Sequence, residues 1–402
     1  MGLKEATVIQ RKCVPLVLQG HDVLGLAETG SGKTAAFVLP ILERLFREPY
    51  GVFAVVLSPS RELAAQIAEQ FSALGARQRT RVATLVGGEN STSQNVDLAR
   101  SKPHVVVATP GRFVEHLDRG LAGLLGNLDT LVLDEADRLL SSSFDRDLGP
   151  VVKSAKERRC TLLFSATKTA RLENFVEKRN SSAKKKSIVV VDVSRPTLVP
   201  EKLAQQYLFM PARVKLSYFV RLLQVLDVFK KDKKDVSVIV FVQTCKRCHE
   251  VDALLSELGV DALSLHSKLS QKRRLASLGK FRSYLCKVLV ATDVAARGLD
   301  VPFVDLVVNL DVPRDPDDYV HRVGRAARAG RPGKAVTFVT QHDLDLVKNI
   351  EAKVGKKLDQ CTDVHEKDVL ALLNPVAKAM HSATLKRPYE DALSDKDKRK
   401  LR

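Results

Sequence analysis

The feature that most constrains this chain is an apolar stretch that ends in three carboxylates. Leu131–Leu133 is followed at once by Asp134, Glu135 and, one residue later, Asp137. Such a run is typical of a buried parallel strand whose carboxyl end carries chemistry. Because neighbouring carboxylates repel one another, this strand end requires positive charge nearby. A hydrated Mg2+ ion on a nucleotide would supply it.

A second stretch, earlier in the chain, has the pattern of a phosphate-binding loop. It follows the predicted strand Val23–Leu26 and precedes a predicted helix, Thr34–Leu45. Its glycines allow a tight turn in which backbone amides point at phosphate oxygens, and the helix start adds positive potential. The general pattern has glycine at the first position, where this chain has alanine. The predicted nucleotide-binding residues of the loop are Ala27, Thr29, Gly30, Ser31, Gly32, Lys33 and Thr34.

The residue types in these two stretches predict one site for ATP and Mg2+. Lys33 would place its charge on the β- and γ-phosphates, and Thr34 and Asp134 would hold the metal ion. Glu135 would orient or deprotonate the attacking water. The alternative interpretations are a structural glycine turn and an acidic helix start. An acidic helix start is compatible with catalysis.

Apolar strands recur in two series with helical segments between them, which predicts an α/β fold with mostly parallel sheets. The first series is Val23–Leu26, Phe53–Leu57, Val105–Ala108, Leu131–Leu133 and Leu162–Phe164. The second series is Val236–Phe241, Ala262–Leu265, Lys287–Ala291, Leu306–Leu310 and Ala335–Val339. We therefore expect a domain over 1–194, a linker over 195–205, a second domain over 206–355, and a segment over 356–402 that is helical, then basic and disordered.

The charge of the chain indicates a polyanionic partner. The 402 residues carry a formal net charge of +18, and nucleic acid is the usual partner of so basic a protein. An anionic membrane is the competing partner, but no apolar run of about 18 residues is present to cross one. Aromatic residues make up 5% and tryptophan is absent, so we expect contacts to the nucleic-acid backbone rather than stacking on bases.

Residues 321–330 combine a histidine, two glycines and several arginines. Arg325 and Arg328 are three residues apart, so they would share a face if this stretch is helical. Arginines of this kind can stabilise charge on a transferring γ-phosphoryl group. A solvated basic face is the alternative.

With these motifs in place, the chain resembles the DEAD-box RNA helicases of helicase superfamily 2, from residue 2 to about residue 355. The resemblance implies two tandem RecA-like domains that close on ATP and RNA, and an RNA-dependent ATPase. In this family Gln10, in the stretch Thr7 to Gln10, would read adenine, and Asp300 would contact the ribose. Arg325 and Arg328 would be arginine fingers that join Lys33 and Glu135 in catalysis.

The resemblance also implies residues that contact RNA and residues that couple hydrolysis to strand separation. The implied RNA contacts are Pro59, Ser60, Arg61, Gly88, Thr109, Gly111, Arg112, Gln271, Arg274 and Thr292. The implied coupling residues are Asp137, Ser165, Thr167 and His321, with His321 bridging to Asp137.

Within the family, the chain is most similar to nucleolar members of the small-subunit ribosome pathway. That similarity implies a monomeric protein located in the nucleus or nucleolus, with the cytoplasm as an alternative. It also implies pre-rRNA and ribosome-assembly proteins as partners. An ATP-controlled RNA clamp or scaffold is an alternative function, and a DNA translocase is another.

Three positions depart from the family pattern. Ser60 and Ala326 each replace a threonine. The family also has an aromatic residue well upstream of the glutamine, to stack on adenine, and only nine residues precede Gln10. We therefore expect a shortened N-terminus.

Overall fold

Strands and helices alternate through the described part of the chain, and the strands form two separate sheets. The computed structural model describes residues 5–28, 30–47, 51–88, 90–126, 128–141, 144–155, 160–181, 186–193, 199, 202–229, 236–293, 304–326, 333–387 and 389. The chain divides into two units, Met1–Pro196 and Thr197–Arg402. No helix among the described residues is long and apolar enough to cross a membrane.

The first unit is built on a seven-stranded sheet in the order β3-β4-β2-β5-β6-β1-β7, and all of its pairings are parallel. Its strands are β1 (Asp22–Leu26), β2 (Ala54–Leu57), β3 (Val82–Leu85), β4 (Val105–Ala108), β5 (Thr130–Asp134), β6 (Cys160–Ser165) and β7 (Ile188–Asp192). Its helices are α1 (Val8–Leu18), α2 (Lys33–Arg47), α3 (Arg61–Leu74), α4 (Ser91–Ser101), α5 (Pro110–Leu117), α6 (Ala136–Leu139), α7 (Asp145–Ser154) and α8 (Ala170–Asn180).

The apolar character of the central strands follows from the helices on both faces of the sheet. One core joins the sheet to α1, α2 and α3, and Phe37 and Phe164 pack there with ring centroids 5.3 Å apart. A second core joins the opposite face to α5, α7 and α8 through Phe113, Leu148 and Leu172. Strands covered on both faces are apolar at every position, which is the pattern that the sequence predicted.

The second unit repeats this architecture with the strand order β10-β11-β9-β12-β13-β8-β14, again entirely parallel. Its strands are β8 (Leu203–Phe209), β9 (Val238–Val242), β10 (Ala262–Leu265), β11 (Val288–Thr292), β12 (Leu306–Asn309), β13 (Gly333–Val339) and β14 (Asp359–Gln360). Its helices are α9 (Lys215–Val225), α10 (Cys245–Glu257), α11 (Gln271–Arg282), α12 (Pro316–Val323), α13 (Leu344–Val354), α14 (Glu366–Leu370) and α15 (Leu373–Lys386). The two sheets confirm the predicted fold class of tandem α/β domains.

Four strands were missed by the sequence analysis, and three of them are edge strands. β3, β7 and β14 lie at edges of the sheets and are partly exposed. β3 and β14 lack a continuous apolar run, whereas β7 contains a run of four apolar residues that the sequence analysis did not assign. β8 lies between β13 and β14, but polar residues such as Gln205 and Gln206 interrupt its pattern. β8 also begins at Leu203, inside the stretch that we had taken as the linker.

The segment after residue 356 is integrated into the second unit as far as α15. β14 pairs with β8, and α15 packs on α9 and α10 through Val376, Val220 and Leu254. The helical prediction for this segment therefore matches α14 and α15, although these helices are part of the unit rather than a separate tail. Residues 390–402, predicted to be disordered, lie outside the described residues.

The first sheet contains a buried ion pair whose loss we expect to be costly. Asp22 is 1% exposed and accepts hydrogen bonds from Arg179 Nη2 at 2.6 Å and from the Thr161 backbone N–H at 2.7 Å. Asp22→Ala leaves the guanidinium of Arg179 without its carboxylate partner. We therefore expect the free energy of unfolding, measured in urea titrations, to fall by about 3–5 kcal/mol. Glu43→Ala, which breaks the exposed Glu43–Arg47 pair, should change stability by less than about 1 kcal/mol. Equal effects of the two substitutions would contradict this ranking.

Candidate nucleotide and RNA site

The glycine-rich loop lies between β1 and α2, as predicted. Gly30 and Gly32 have φ values of 80° and 93°, a region that residues with a Cβ rarely adopt. Lys33 begins α2, and its ammonium group donates to the backbone oxygens of Ala27 and Glu28, the latter at 2.9 Å. The ammonium therefore lies inside the loop. Of the predicted loop residues, Ser31 donates its hydroxyl to Glu28 O at 2.7 Å, Thr34 lies in the first turn of α2, and Thr29 lies outside the described residues.

Gln10 fixes the start of α1 against this loop. Its side-chain Nε2 donates to Gly32 O at 3.1 Å, and its Oε1 accepts from the Thr7 backbone N–H at 3.0 Å. A Cβ added to Gly32 would clash with Gln10 Nε2 and crowd Thr7 Oγ1. Both ends of the Gln10 amide are thus engaged within the protein, which places the predicted adenine-reading residue directly on the phosphate loop.

The acidic cluster follows β5, and its first carboxylate is expensive to ionise. Asp134 is 3% exposed, and burial together with the neighbouring charge of Glu135 raises its pKa to about 7, although Lys33 acts in the opposite direction. Glu135 has a φ of 52° and pairs with Arg138 at 3.1 Å. A left-handed backbone at a residue with a side chain costs about 1–3 kcal/mol, and such strain concentrates at functional sites.

The third carboxylate links this cluster to the next strand. Asp137 Oδ2 accepts hydrogen bonds from Thr167 Oγ1 at 2.5 Å and from the Thr167 backbone N–H at 3.2 Å. Ser165, at the end of β6, donates its hydroxyl to Thr167 O at 2.7 Å. Three of the four predicted coupling residues therefore form one buried hydrogen-bonded group within the first unit.

The predicted RNA-facing loops of the first unit follow the carboxyl ends of β2, β3 and β4. Ser60, after Pro59, caps α3 by accepting from the Leu63 N–H at 3.3 Å. The guanidinium of Arg61 lies against Gly88 so closely that a Cβ there would overlap it. Thr109 and Gly111 begin α5, and Arg112 on the same helix pairs with Glu115 at 3.4 Å. Since the sheet is parallel, these loops lie along the same edge as the acidic cluster.

In the second unit, the predicted RNA-facing residues lie on two elements. Thr292 ends β11 and is buried, as is Arg274 on α11. Gln271 is the first residue of α11, after the N-cap Ser270.

Arg322 is an organising residue that the sequence analysis did not assign. It is 3% exposed, and its guanidinium makes a two-point contact with Asp293, with distances of 2.6 and 2.7 Å. It also donates to Asn309 Oδ1 at 3.2 Å and lies 5.1 Å from the centre of the Phe241 ring. A buried arginine needs a nearby carboxylate. Asp293, just after β11, is the sequence feature from which this pairing could have been predicted.

Arg325 does not lie on a helix, so the condition under which it would share a face with Arg328 is not met. α12 contains His321 but ends at Val323, and Arg325 lies in the turn that follows, 5% exposed. The backbone then pairs with a neighbouring segment through Ala326 and Val304, which a helix would prevent. Arg328 and Asp300 lie outside the described residues.

Comparison with known proteins decides the family. Residues 7–175 match the DEAD/DEAH box helicase family, and residues 215–330 match the helicase conserved C-terminal domain. The probable ATP-dependent RNA helicase DDX47 of Homo sapiens is 44% identical over 406 residues, which cover 99% of this chain and 86% of the human protein. The DEAD-box ATP-dependent RNA helicase 36 of Arabidopsis thaliana is also 44% identical, covering 100% of this chain and 80% of the plant protein.

This chain is a DEAD-box ATP-dependent RNA helicase. It is accordingly an enzyme, an RNA-dependent ATPase that binds ATP and RNA. Solved helicase structures agree with the fold. Mss116p bound to single-stranded RNA and AMP-PNP aligns with a TM-score of 0.78 at 27% identity, over 97% of this chain and 82% of that one. S. cerevisiae Dbp5 bound to RNA and ADP BeF3 aligns with a TM-score of 0.78 at 26% identity, over 94% of each chain.

The contact between Gly32 and Gln10 makes a direct prediction for this DEAD-box helicase. Gly32→Ala adds a Cβ at a positive φ and pushes Gln10 off the loop, so we expect ATP affinity to fall by at least about tenfold, measured by equilibrium titration. Gly123→Ala is the matched control because its Cβ would meet no atom within 4 Å. An unchanged ATP affinity in the Gly32 variant would show that the loop does not hold the phosphates in this conformation.

Proposed function

We propose that this DEAD-box helicase hydrolyses ATP on binding RNA to open short duplexes or to remodel RNA–protein complexes, and that it does so in rRNA processing and ribosome assembly. The observation that carries the first part is the hydrogen-bonded link from Asp137 to Thr167. It joins the acidic cluster, where ATP would react, to the loop after β6. A structural change at the γ-phosphate can therefore be transmitted to the loop after β6, at the same edge of the sheet.

Each residue of the ATP site has a distinct task in this proposal. Lys33 and the loop amides hold the phosphates, and Glu135 orients the attacking water and takes its proton. Arg325, which the family resemblance makes an arginine finger, stabilises the charge that develops on the γ-phosphoryl group.

The oxygen donors of Thr34 and Asp134 fit a Mg2+ ion. Hard cations prefer carboxylate and hydroxyl oxygens, and a bound cation would oppose the effect of burial, which raises the pKa of Asp134 to about 7. When bound, Mg2+ would neutralise charge on the β- and γ-phosphates.

Sequence-independent contacts to the RNA backbone are supported by the loops after β2, β3 and β4 and by the net charge of +18. Arg61 and Arg112 supply cations, and Gly88 and Gly111 let the backbone approach a phosphate closely. Affinity for RNA should therefore fall steeply as salt is added.

The role in ribosome assembly is supported by the resemblance to nucleolar family members. The strongest stretch is residues 30–43, with Thr340–Val347 and Asn309 as further support. We propose pre-rRNA and ribosome-assembly proteins as the partners, a monomeric state, and a nuclear or nucleolar location.

Replacing Glu135 tests the hydrolytic part of the proposal. Glu135→Gln keeps the shape of the side chain but removes the base, so we expect ATP and RNA binding to persist while turnover falls by about 10²–10⁴-fold in a steady-state assay. Glu43→Gln, on an exposed turn of α2, serves as the control. Turnover in the Glu135 variant at the level of the control would remove this residue from its role.

The pKa of Asp134 predicts how ATP affinity depends on pH. Because its pKa is raised to about 7, the carboxyl group is protonated below that pH and must lose its proton before it can bind a cation. Affinity for ATP with Mg2+ should therefore rise from about pH 6 to pH 7 and level off above that. Asp134→Asn should bind more weakly and lose this rise, which titrations across the range would reveal. An identical pH profile for both proteins would contradict the assignment.

A further inference from the structure

A cavity of ≈ 490 Å³ opens on the second unit, beside the residues predicted to contact RNA. It lies against β10 between α10 and α11, and the end of α15 with Arg387 closes one side. Its polar lining includes His249, Asp252, His266, Arg273, Lys280 and Lys386. Its volume is within the usual range for small-molecule sites.

Two buried polar side chains that line this cavity have unused hydrogen-bonding atoms. His266 is 0% exposed, and neither of its ring nitrogens has a hydrogen-bond partner among the described residues. Burial lowers the pKa of His266 to about 4. The ring is therefore neutral and offers one donor and one acceptor. Asp252 is 6% exposed and accepts from the Ser264 hydroxyl at 2.8 Å through Oδ2, while its Oδ1 has no hydrogen-bond partner in the described part of the chain.

Leaving such groups unsatisfied costs about 1–3 kcal/mol each. A fold that retains them beside a cavity is explained by a ligand that supplies the missing partners. The ligand must have an N–H group that donates to the Asp252 carboxylate. It must also have a polar edge that forms hydrogen bonds with the neutral imidazole of His266.

The remaining charge around the cavity is positive. Lys386 is neutralised by Glu257 at 2.6 Å, and Arg387 lies 3.9 Å from Asp252. Arg273 and Lys280, by contrast, form no ion pair with any described residue, and both side chains are exposed on α11. Seven residues of helix separate them, about 10 Å. They provide two free cations at the mouth of a cavity whose floor is neutral or acidic.

We propose that this cavity binds one nucleotide of the RNA strand, with its phosphate on Arg273 and Lys280 and its base on Asp252 and His266. The arrangement of charge in the cavity matches a nucleotide. The cations at the mouth face the phosphate, which is the exposed anion, and the polar groups at the floor face the polar edge of the base. α11 begins with the predicted RNA contacts Gln271 and Arg274, so a strand bound there has a short path to the cavity. This contact lies outside the motifs assigned above.

The free carboxylate oxygen favours a base with an exocyclic amino group. Adenine, guanine and cytosine present an NH₂ donor, whereas uracil presents a single N–H between two carbonyl oxygens that a carboxylate repels. The cavity therefore gives this helicase a modest preference among single strands.

Removal of the two free cations tests the phosphate contact. RNA affinity is measured by fluorescence anisotropy, without ATP, on a single-stranded adenine-rich oligonucleotide. Arg273→Ala/Lys280→Ala should weaken binding by about fivefold or more and reduce the slope of log affinity against log salt by about 0.7, the share of one phosphate. Lys356→Ala/Lys357→Ala removes the same charge from exposed positions of the same unit and should have a smaller effect on both. Equal effects of the two double variants would overturn the proposal.

ATPase assays separate this proposal from the proposed hydrolytic function. At saturating RNA, Arg273→Ala/Lys280→Ala should be stimulated as strongly as the wild type, because the cavity contributes binding only. A loss of stimulation at saturation would place these residues in the hydrolytic motifs and overturn the cavity assignment.

Asp252→Asn tests the base contact with little change of shape. The wild type should bind an adenine-rich strand more tightly than a uracil-rich strand of equal length, and the variant should lose this difference. Strands carrying 6-thioguanosine should photocrosslink to the peptide spanning 262–282. No preference and no crosslink there would overturn the proposal.

AMP and inorganic phosphate, titrated as competitors, identify the source of the ligand. AMP, added before irradiation, should reduce crosslinking of the strand only at high concentration. Tight binding of AMP without any effect of the cavity variants on RNA would indicate a free-nucleotide site, and competition by phosphate alone would indicate an adventitious ion only. Either result would overturn the assignment to RNA.

Discussion

The site of this helicase depends on one buried carboxylate, that of Asp137. It accepts two hydrogen bonds from Thr167, so the loops after β5 and β6 cannot move independently. Charge-assisted hydrogen bonds in a buried setting are stronger than neutral ones. The neighbouring carboxylate of Asp134 shares this strand end. The same few residues thus connect the proposed place of ATP hydrolysis to a loop that the family resemblance assigns to strand separation.

The acidic cluster is maintained at a cost that only a ligand relieves. Burial raises the pKa of Asp134, Glu135 holds a left-handed backbone, and Lys33 turns its ammonium group onto the loop carbonyls. Each of these features is unfavourable or incomplete without phosphate and a cation.

The sequence predicted the central strands well because they depend on local apolar patterns. Strands β2 and β4 are continuous apolar runs, and β5 is apolar up to the first carboxylate. The edge strands β3 and β14 were missed because they lack that pattern, whereas β7 has an apolar run that was not assigned. β8 was missed because its glutamines interrupt the apolar pattern. The turn at Arg325 and the partners of Arg322 depend on tertiary contacts that no spacing reveals, and the position of Gln10 on Gly32 O depends on how α1 packs against the loop.

If the Asp137–Thr167 hydrogen bonds transmit the state of the ATP site, Thr167→Val should separate ATP hydrolysis from duplex opening. This variant removes the hydroxyl bond and keeps the shape of the side chain. RNA-stimulated ATPase and single-turnover opening of a short RNA duplex should be measured together, with Thr384→Val on the exposed face of α15 as the control. The account predicts that duplex opening falls by about tenfold or more while ATPase stays within about twofold of the wild type. Equal loss of both activities, or no loss of either, would contradict it.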